Sequence, residues 1–186
     1  MRIIHNAVSD ELIDRCLDEI EKKKTQDVWG ISKWKWGMPL TKGFKQFCFS
    51  SRPEVYQFND LRNQLTQYFA RVPTNINYHL WLPGSGINWH DDNMNIYGAT
   101  LYLNDWAPEK GGVFMWREKD TEELKCIHPQ RNMLMINEYG EDHAVTPVMV
   151  NEGAGLRLSV QIFCAFPNEE LNQGQPSEPD TEAYYY

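Results

Sequence analysis

The chain has 186 residues, enough for one domain with a substantial core and no need of a second. Its 26 acidic and 18 basic residues give a net charge of −8, and no Lys/Arg-rich stripe extends beyond Lys22-Lys23-Lys24, which excludes nucleic acid as an expected partner. Cys16, Cys48, Cys126 and Cys164 stand singly, with neither C-x-x-C nor zinc spacing. They read as reduced core thiols in a cytoplasmic protein.

The opening residues, Met1 to Asn6, lack the apolar h-region of a signal peptide and lead straight into a helix. There Ser9 can cap, Asp10 and Glu11 occupy the first turn, and Leu12, Ile13, Cys16, Leu17 and Ile20 form one apolar stripe. No run approaches the roughly eighteen apolar residues of a membrane span, so a soluble protein is expected. A loop from Lys33 to Gln46 is locally basic and aromatic, and serves equally as a substrate clamp or a solvated hairpin.

Helical spacing of Val55, Phe58, Leu61, Leu65, Tyr68 and Phe69 predicts a second helix from Pro53 to about Phe69, with Pro53 at its first position and Pro73 beyond its end. After Asn75 the texture changes to short strands divided by Gly, Pro and Asn turns. They are predicted at 76–82, 97–104, 113–117, 124–128, 133–136, 144–150 and 156–166, which argues for a sandwich or barrel. The last stretch, 168–186, rich in Glu, Gln, Asn and Pro, is expected to be a disordered acidic tail. The division is therefore one domain over 1–167, helical to 73 and β-rich from 74 to 167.

The chemistry concentrates in His90-Asp91-Asp92 and in His143. On an extended segment alternate residues share a face, so His90 and Asp92 are expected to point together while Asp91 points away. Two imidazoles and a carboxylate are the ligand set of a non-haem Fe(II) site that leaves its opposite face open. Arg157 lies in the apolar strand Leu156 to Phe163 and needs an anionic partner there. His79, on a strand beside Tyr78, can face the site or turn from it.

These residues and their surroundings resemble the Fe(II)- and 2-oxoglutarate-dependent oxygenases, in particular the prolyl 4-hydroxylase-like branch, from about Tyr78 to Phe166. The resemblance rests on Leu82-Pro-Gly84 before Trp89-His-Asp-Asp92, Thr100-Leu-Tyr-Leu-Asn104 before Gly111-Gly-Val-Phe114, His143-x-Val-x-Pro147, and Arg157-x-Ser159 with Phe163 beyond. Where the family usually carries Tyr before the Gly that precedes H-x-D, this chain has Trp81 and Leu82. The aromatic six residues after the Arg is often Trp in the family, and is Phe163 here. Both departures touch substrate or co-substrate packing rather than the metal.

The resemblance implies a mainly β fold, a double-stranded β-helix or jelly roll, with the N-terminal helices packed outside one sheet. It implies an enzyme, a dioxygenase that uses Fe(II), 2-oxoglutarate and dioxygen, with ascorbate as an optional addition. His90, Asp92 and His143 would hold the metal, and Arg157, Ser159 and Tyr102 the distal carboxylate of 2-oxoglutarate. Tyr102 can equally be a core aromatic, Arg157 a surface ion-pair partner, and Trp81, Trp89, Trp106 and Trp116 either a substrate wall or filler. A prolyl residue of a peptide or protein is the expected substrate, with a free amino acid or other small molecule as the alternative. A cupin-like metal-binding module without turnover is the reading from a different class; the cation at Arg157 is what it would not need.

Overall fold

A computed structural model describes residues 1–31, 42–43, 48–92, 95–138, 140–149 and 155–165. The basic aromatic loop, apart from Lys42 and Gly43, and the C-terminal tail lie outside the described residues.

Eleven strands and two α-helices are described, in the order β1 (Arg2–His5), α1 (Asp10–Lys23), β2 (Gly30–Ile31), β3 (Cys48–Ser51), α2 (Val55–Leu65), β4 (Asn75–Trp81), β5 (Ile87–His90), β6 (Asn95–Tyr102), β7 (Phe114–Arg117), β8 (Leu124–Ile127), β9 (Met133–Glu138), β10 (His143–Val145) and β11 (Arg157–Ala165). Short 3-10 turns follow α2 at Thr66–Tyr68 and precede β7 at Pro108–Lys110. One sheet runs β1-β9-β6-β11-β4-β3-β2 and the other β5-β10-β7-β8. Strands β4 to β11 thus divide four and four between facing sheets. Consecutive strands cross between the sheets except at the β7–β8 hairpin, which is the jelly-roll path.

Alternation along the central strands separates two apolar layers. On β11, Leu158, Val160, Ile162 and Cys164 pack outward with Leu12, Ile13, Cys16 and Ile20 of α1 and Leu61 and Leu65 of α2. At about 1.5–3 kcal/mol for each fully buried aliphatic side chain, this layer fixes the helices on the larger sheet. The second layer, between the sheets, holds Trp81, Ile87, Tyr102, Phe114, Trp116, Met133, Met135 and Val145. It fills one end of the barrel; the polar inward residues of the same strands line the other.

Local signals explain α1. Ser9 is its N-cap and accepts from the Leu12 backbone N–H, as its sequence predicts. For α2 the start moves inward: Glu54 is the N-cap, with φ −58 and ψ 154, and Pro53 stands before the helix rather than in its first turn. The chain stays helical only to Leu65 before tightening into the 3-10 turn. Strands β1, β2 and β3 add to the edges of the larger sheet in a region expected to be helical and loop-like. Cys126 departs from its expected burial: it is exposed on β8, while Cys16, Cys48 and Cys164 are buried thiols.

Candidate metal centre and its neighbouring cation

The site lies between the sheets at the open end of the barrel. His90 is the last residue of β5 and His143 the first of β10, and the two are paired across the antiparallel ladder. Their rings lie 4.1 Å apart between centroids. Asp92 does not reach them by strand alternation. β5 ends at His90, and Asp92 has φ 49, a left-handed conformation that Asp tolerates better than most residues. The turn, not the pleat, swings its carboxylate back to the imidazoles: Oδ1 lies 3.6 Å from His90 Nε2 and Oδ2 3.5 Å from His143 Nε2.

One ligand atom from each of the three residues lies within 4.8 Å of the others, the spacing of a metal cluster. Both imidazoles are oriented for it. Nδ1 of His90 meets the Asn88 carbonyl and Nδ1 of His143 the Glu141 carbonyl, each at 2.8 Å. A carbonyl only accepts, so each Nδ1 carries the proton and each Nε2 presents its lone pair to the centre. Phe114 stacks on His143 at 5.4 Å and 10° between planes, fixing the ring from behind.

Electrostatics agree with that assignment. Burial, and then the neighbouring His143, hold His90 below its ordinary pKa, which keeps it neutral. Burial would raise Asp92, but its neighbours His143, His90 and Asn137 outweigh it and hold the carboxyl below its ordinary value. Two neutral imidazoles and a carboxylate, with no thiolate, fit a divalent ion of Fe(II) type.

Sequence reasoning singled out neither Asn137 nor Gly98 for a role at the site. Asn137 donates through Nδ2 to Asp92 Oδ2 at 3.3 Å. Its signal was the inward phase of β9, Met133, Met135, Asn137, in which a polar residue replaces an apolar one at the strand end. Gly98, its partner in register on β6, leaves the space in which the two side chains meet.

The second half of the cavity is built around Arg157, which is fully buried. Burial lowers its pKa, as expected of a cation without an anion. Its Nη1 donates to the Gly112 carbonyl at 2.5 Å, while Nε has no hydrogen-bond partner among the described residues. The guanidinium carbon sits 4.0 Å over the Trp81 ring and 5.7 Å from that of Tyr102. Gly112 is needed there twice over: its φ is +64, and a Cβ would lie 2.7 Å from Arg157 Nη1.

A cavity of about 450 Å³, counted with its open mouth, joins the two halves. Its walls include His90, Asp92 and His143 at one side and Trp81, Tyr102 and Arg157 at the other, with Thr100, Gln161 and Phe163 between. Ser159 shares the inward face of β11, but its hydroxyl accepts from Trp81 Nε1 at 3.3 Å and it stands outside the described cavity wall. His79 is buried next to Trp81, with rings 6.5 Å apart. Of the other tryptophans, Trp106 and Trp116 fill the interior, whereas Trp89 is 41 % exposed and stacks with Arg117.

A sequence model of the 2OG-Fe(II) oxygenase superfamily matches residues 75–165, the segment that carries all of these side chains. No curated protein matches the chain. Among solved structures, a Pseudomonas putida prolyl 4-hydroxylase is similar at TM-score 0.65 and 17% identity, over 89% of this chain and 92% of that one. A Trichoplax adhaerens prolyl hydroxylase, solved with a hypoxia inducible factor oxygen degradation domain peptide fragment, is similar at TM-score 0.70 and 14% identity, over 94% and 87% of the respective chains. A collagen prolyl hydroxylase of Paramecium Bursaria Chlorella virus-1, in a 2OG complex, gives 0.57 and 13%, over 87% and 93%. At these identities the structures share the fold. Residues 75–165 thus match the 2OG-Fe(II) oxygenase superfamily, and the chain shares its fold with solved prolyl hydroxylases.

Proposed function

We propose that this protein hydroxylates a prolyl residue in a peptide or protein, with His90, Asp92 and His143 holding Fe(II) and Arg157 binding the distal carboxylate of 2-oxoglutarate. The observation that carries the assignment is a fully buried guanidinium with an unpartnered Nε in the same cavity as the three ligands. A buried charge costs several kcal/mol unless it is paired, and a dicarboxylate entering that cavity supplies the pair.

When bound, iron, 2-oxoglutarate and dioxygen supply the oxidation of an unactivated C–H bond, with succinate and carbon dioxide as the other products. The chain's own residues position and shield. Arg157 and the Tyr102 phenol orient the dicarboxylate from its far end. Trp81, steadied by Ser159, keeps water from the guanidinium. The imidazoles keep their Nε2 lone pairs directed inward through their bonds to the Asn88 and Glu141 carbonyls.

The peptide reading draws support from the shared fold: the similar solved structures are prolyl hydroxylases, one of them in complex with a peptide fragment. The wall between the metal ligands and Arg157, with Thr100, Gln161 and Phe163, is uncharged and suits the co-substrate that spans it.

The decisive assay measures succinate from 2-oxoglutarate with N-acetylated, C-amidated proline peptides beside free L-proline and other amino acids. Peptides are expected to stimulate turnover above the uncoupled rate and free proline is not. Stimulation by free amino acids alone would move the substrate to a small molecule, and no turnover with any partner would leave a binding module.

A further inference from the structure

We infer, resting on the metal assignment proposed above, that Glu141 is a positioning residue whose buried carboxylate keeps the proton of His143 on Nδ1 and so keeps Nε2 free for the ion. A neutral imidazole has one N–H and two nitrogens on which to carry it. Around His143 two acceptors compete for that proton: the Glu141 carbonyl, 2.8 Å from Nδ1, and Asp92 Oδ2, 3.5 Å from Nε2. In the second arrangement two of the three ligands bind each other and the lone pair is lost to the centre. The first is favoured by its length, and only while the Glu141 carbonyl stays in place.

The Glu141 side chain holds it there. The turn from β9 to β10 is acidic, and Glu138, Gly140 and Asp142 are exposed in it, yet Glu141 is 6 % exposed. Its Oε1 pairs with the terminal ammonium of Met1, and its Oε2 accepts from the Glu138 backbone N–H at 2.8 Å. The Glu141 backbone N–H returns to the Glu138 carbonyl at 3.2 Å, so the turn is closed by main chain and side chain together.

Placement across the sheets supports the same role. Met1 precedes β1, whose ladder to β9 belongs to the larger sheet, whereas His143 opens β10 of the smaller one. Glu141 is thus fastened to one sheet by its carboxylate and aims a ligand on the other by its carbonyl. The acceptor for His90, Asn88, lies within β5 itself. For His143 the acceptor lies in a turn outside the ladder, where the side chain supplies the restraint that a strand would give.

The test reads the tautomer by nitrogen NMR of isotopically labelled histidine in metal-free, full-length protein at mildly alkaline pH, where ordinary imidazoles are neutral. The His143 signal is assigned by its loss in His143→Gln, and calorimetric titration with Mn(II) gives the metal affinity beside it. Wild type is expected to show the Nδ1–H form at His143. Glu141→Ala should move it toward the Nε2–H form and bind Mn(II) about tenfold more weakly. Glu141→Gln keeps an acceptor for the Glu138 N–H and loses the charge opposite Met1; it should fall between the two, and it carries the comparison if Glu141→Ala folds poorly. Glu19→Ala removes a contact to Tyr78 on the outer face of the larger sheet and separates aim from stability. It should leave both readouts at their wild-type values, and a shift there as large as in the Glu141 variants would overturn a specific role for Glu141. An Nε2–H form in the wild type, or a wild-type tautomer and Mn(II) affinity in both Glu141 variants, would overturn it as well. A wild type that shows the Nδ1–H form yet takes up no Mn(II) would instead overturn the metal assignment beneath it.

Discussion

At the scale of single residues, function here depends on polar groups placed where the pattern demands apolar ones. Arg157 is the clearest case, because its desolvation is offset in the structure by one carbonyl and two aromatic faces, which leaves the charge for the proposed co-substrate to pair. Arg157→Ala is therefore expected to keep the metal and to weaken 2-oxoglutarate binding. The loss of one charge-assisted contact, about 1.5–3 kcal/mol, corresponds to roughly tenfold to a hundredfold in Kd. Titration of the Mn(II) form with 2-oxoglutarate measures it, and an unchanged Kd would place the co-substrate elsewhere. Gly112→Ala should act on the same contact from the other side: a methyl group 2.7 Å from Nη1 must displace the guanidinium, on top of backbone strain of about 1–3 kcal/mol at φ +64. Lower thermal stability together with weaker 2-oxoglutarate binding would bear this out; loss of stability alone would mean that the guanidinium accommodates the methyl. His90, His143 and Arg157 were legible in the sequence because each is a polar residue in or beside an apolar strand. The route of Asp92 to the site was not, since H-x-D reads as strand alternation and only the structure reveals the left-handed turn that breaks it.

Secondary-structure elements show the same division between strong local signals and pairing-dependent ones. Helix α1 was readable from its cap and stripe, and β4, β6, β9 and β11 from their apolar runs. Strands β1 and β3, four residues each, were not, because their order comes from the ladders to β9 and β4 rather than from any pattern of their own. The Pro53 start for α2 failed for a related reason: Glu54, held through its backbone N–H by Glu19 Oε1 at 2.7 Å, fixes the helix entry one residue past the proline. Glu19 is thus a joint between elements. It also accepts from the Tyr78 hydroxyl of β4 at 2.8 Å and pairs with Lys23 at 3.0 Å, all in a nearly dry setting. Replacing it with Ala takes the buried carboxylate from both the Lys23 ammonium, which keeps Glu54 at 3.4 Å and the Arg52 carbonyl, and the Tyr78 hydroxyl, which keeps the Cys16 thiol. A loss of about 3 kcal/mol is expected for Glu19→Ala by denaturant titration. Metal affinity should be unchanged, because the joint lies on the outer face of the sheet; a loss below about 1 kcal/mol would show that α1 is held by its apolar stripe alone.

For the whole molecule, the layer that fixes the helices to the larger sheet also sets the response to alkali. Cys16, Tyr78 and Cys164 are buried in that layer. Burial pushes the Cys16 thiol from the ordinary 9.0 up to about 11 and Cys164 up to about 12, and it raises the Tyr78 phenol as well. The sign follows from linkage. A group that holds its proton more tightly when folded contributes its full stability below the unfolded pKa, and that contribution is lost as pH rises toward the folded value. The folded state should therefore weaken from about pH 9 through 11 and beyond, before these groups can ionise in place. Surface lysines also titrate in that range, so the informative quantity is the stability difference between the wild type and Cys16→Ala. At pH 8 the variant is expected to be the less stable of the two, because it lacks the thiol that Gln57 Nε2 meets at 3.0 Å and leaves a small void. Between pH 9 and 11 the wild type alone carries the ionisation penalty at this position, so the gap should narrow and can reverse. A gap constant across that range, measured by denaturant midpoints at pH 8, 9, 10 and 11, would mean that residue 16 is open to water, contrary to its complete burial on the inner face of α1.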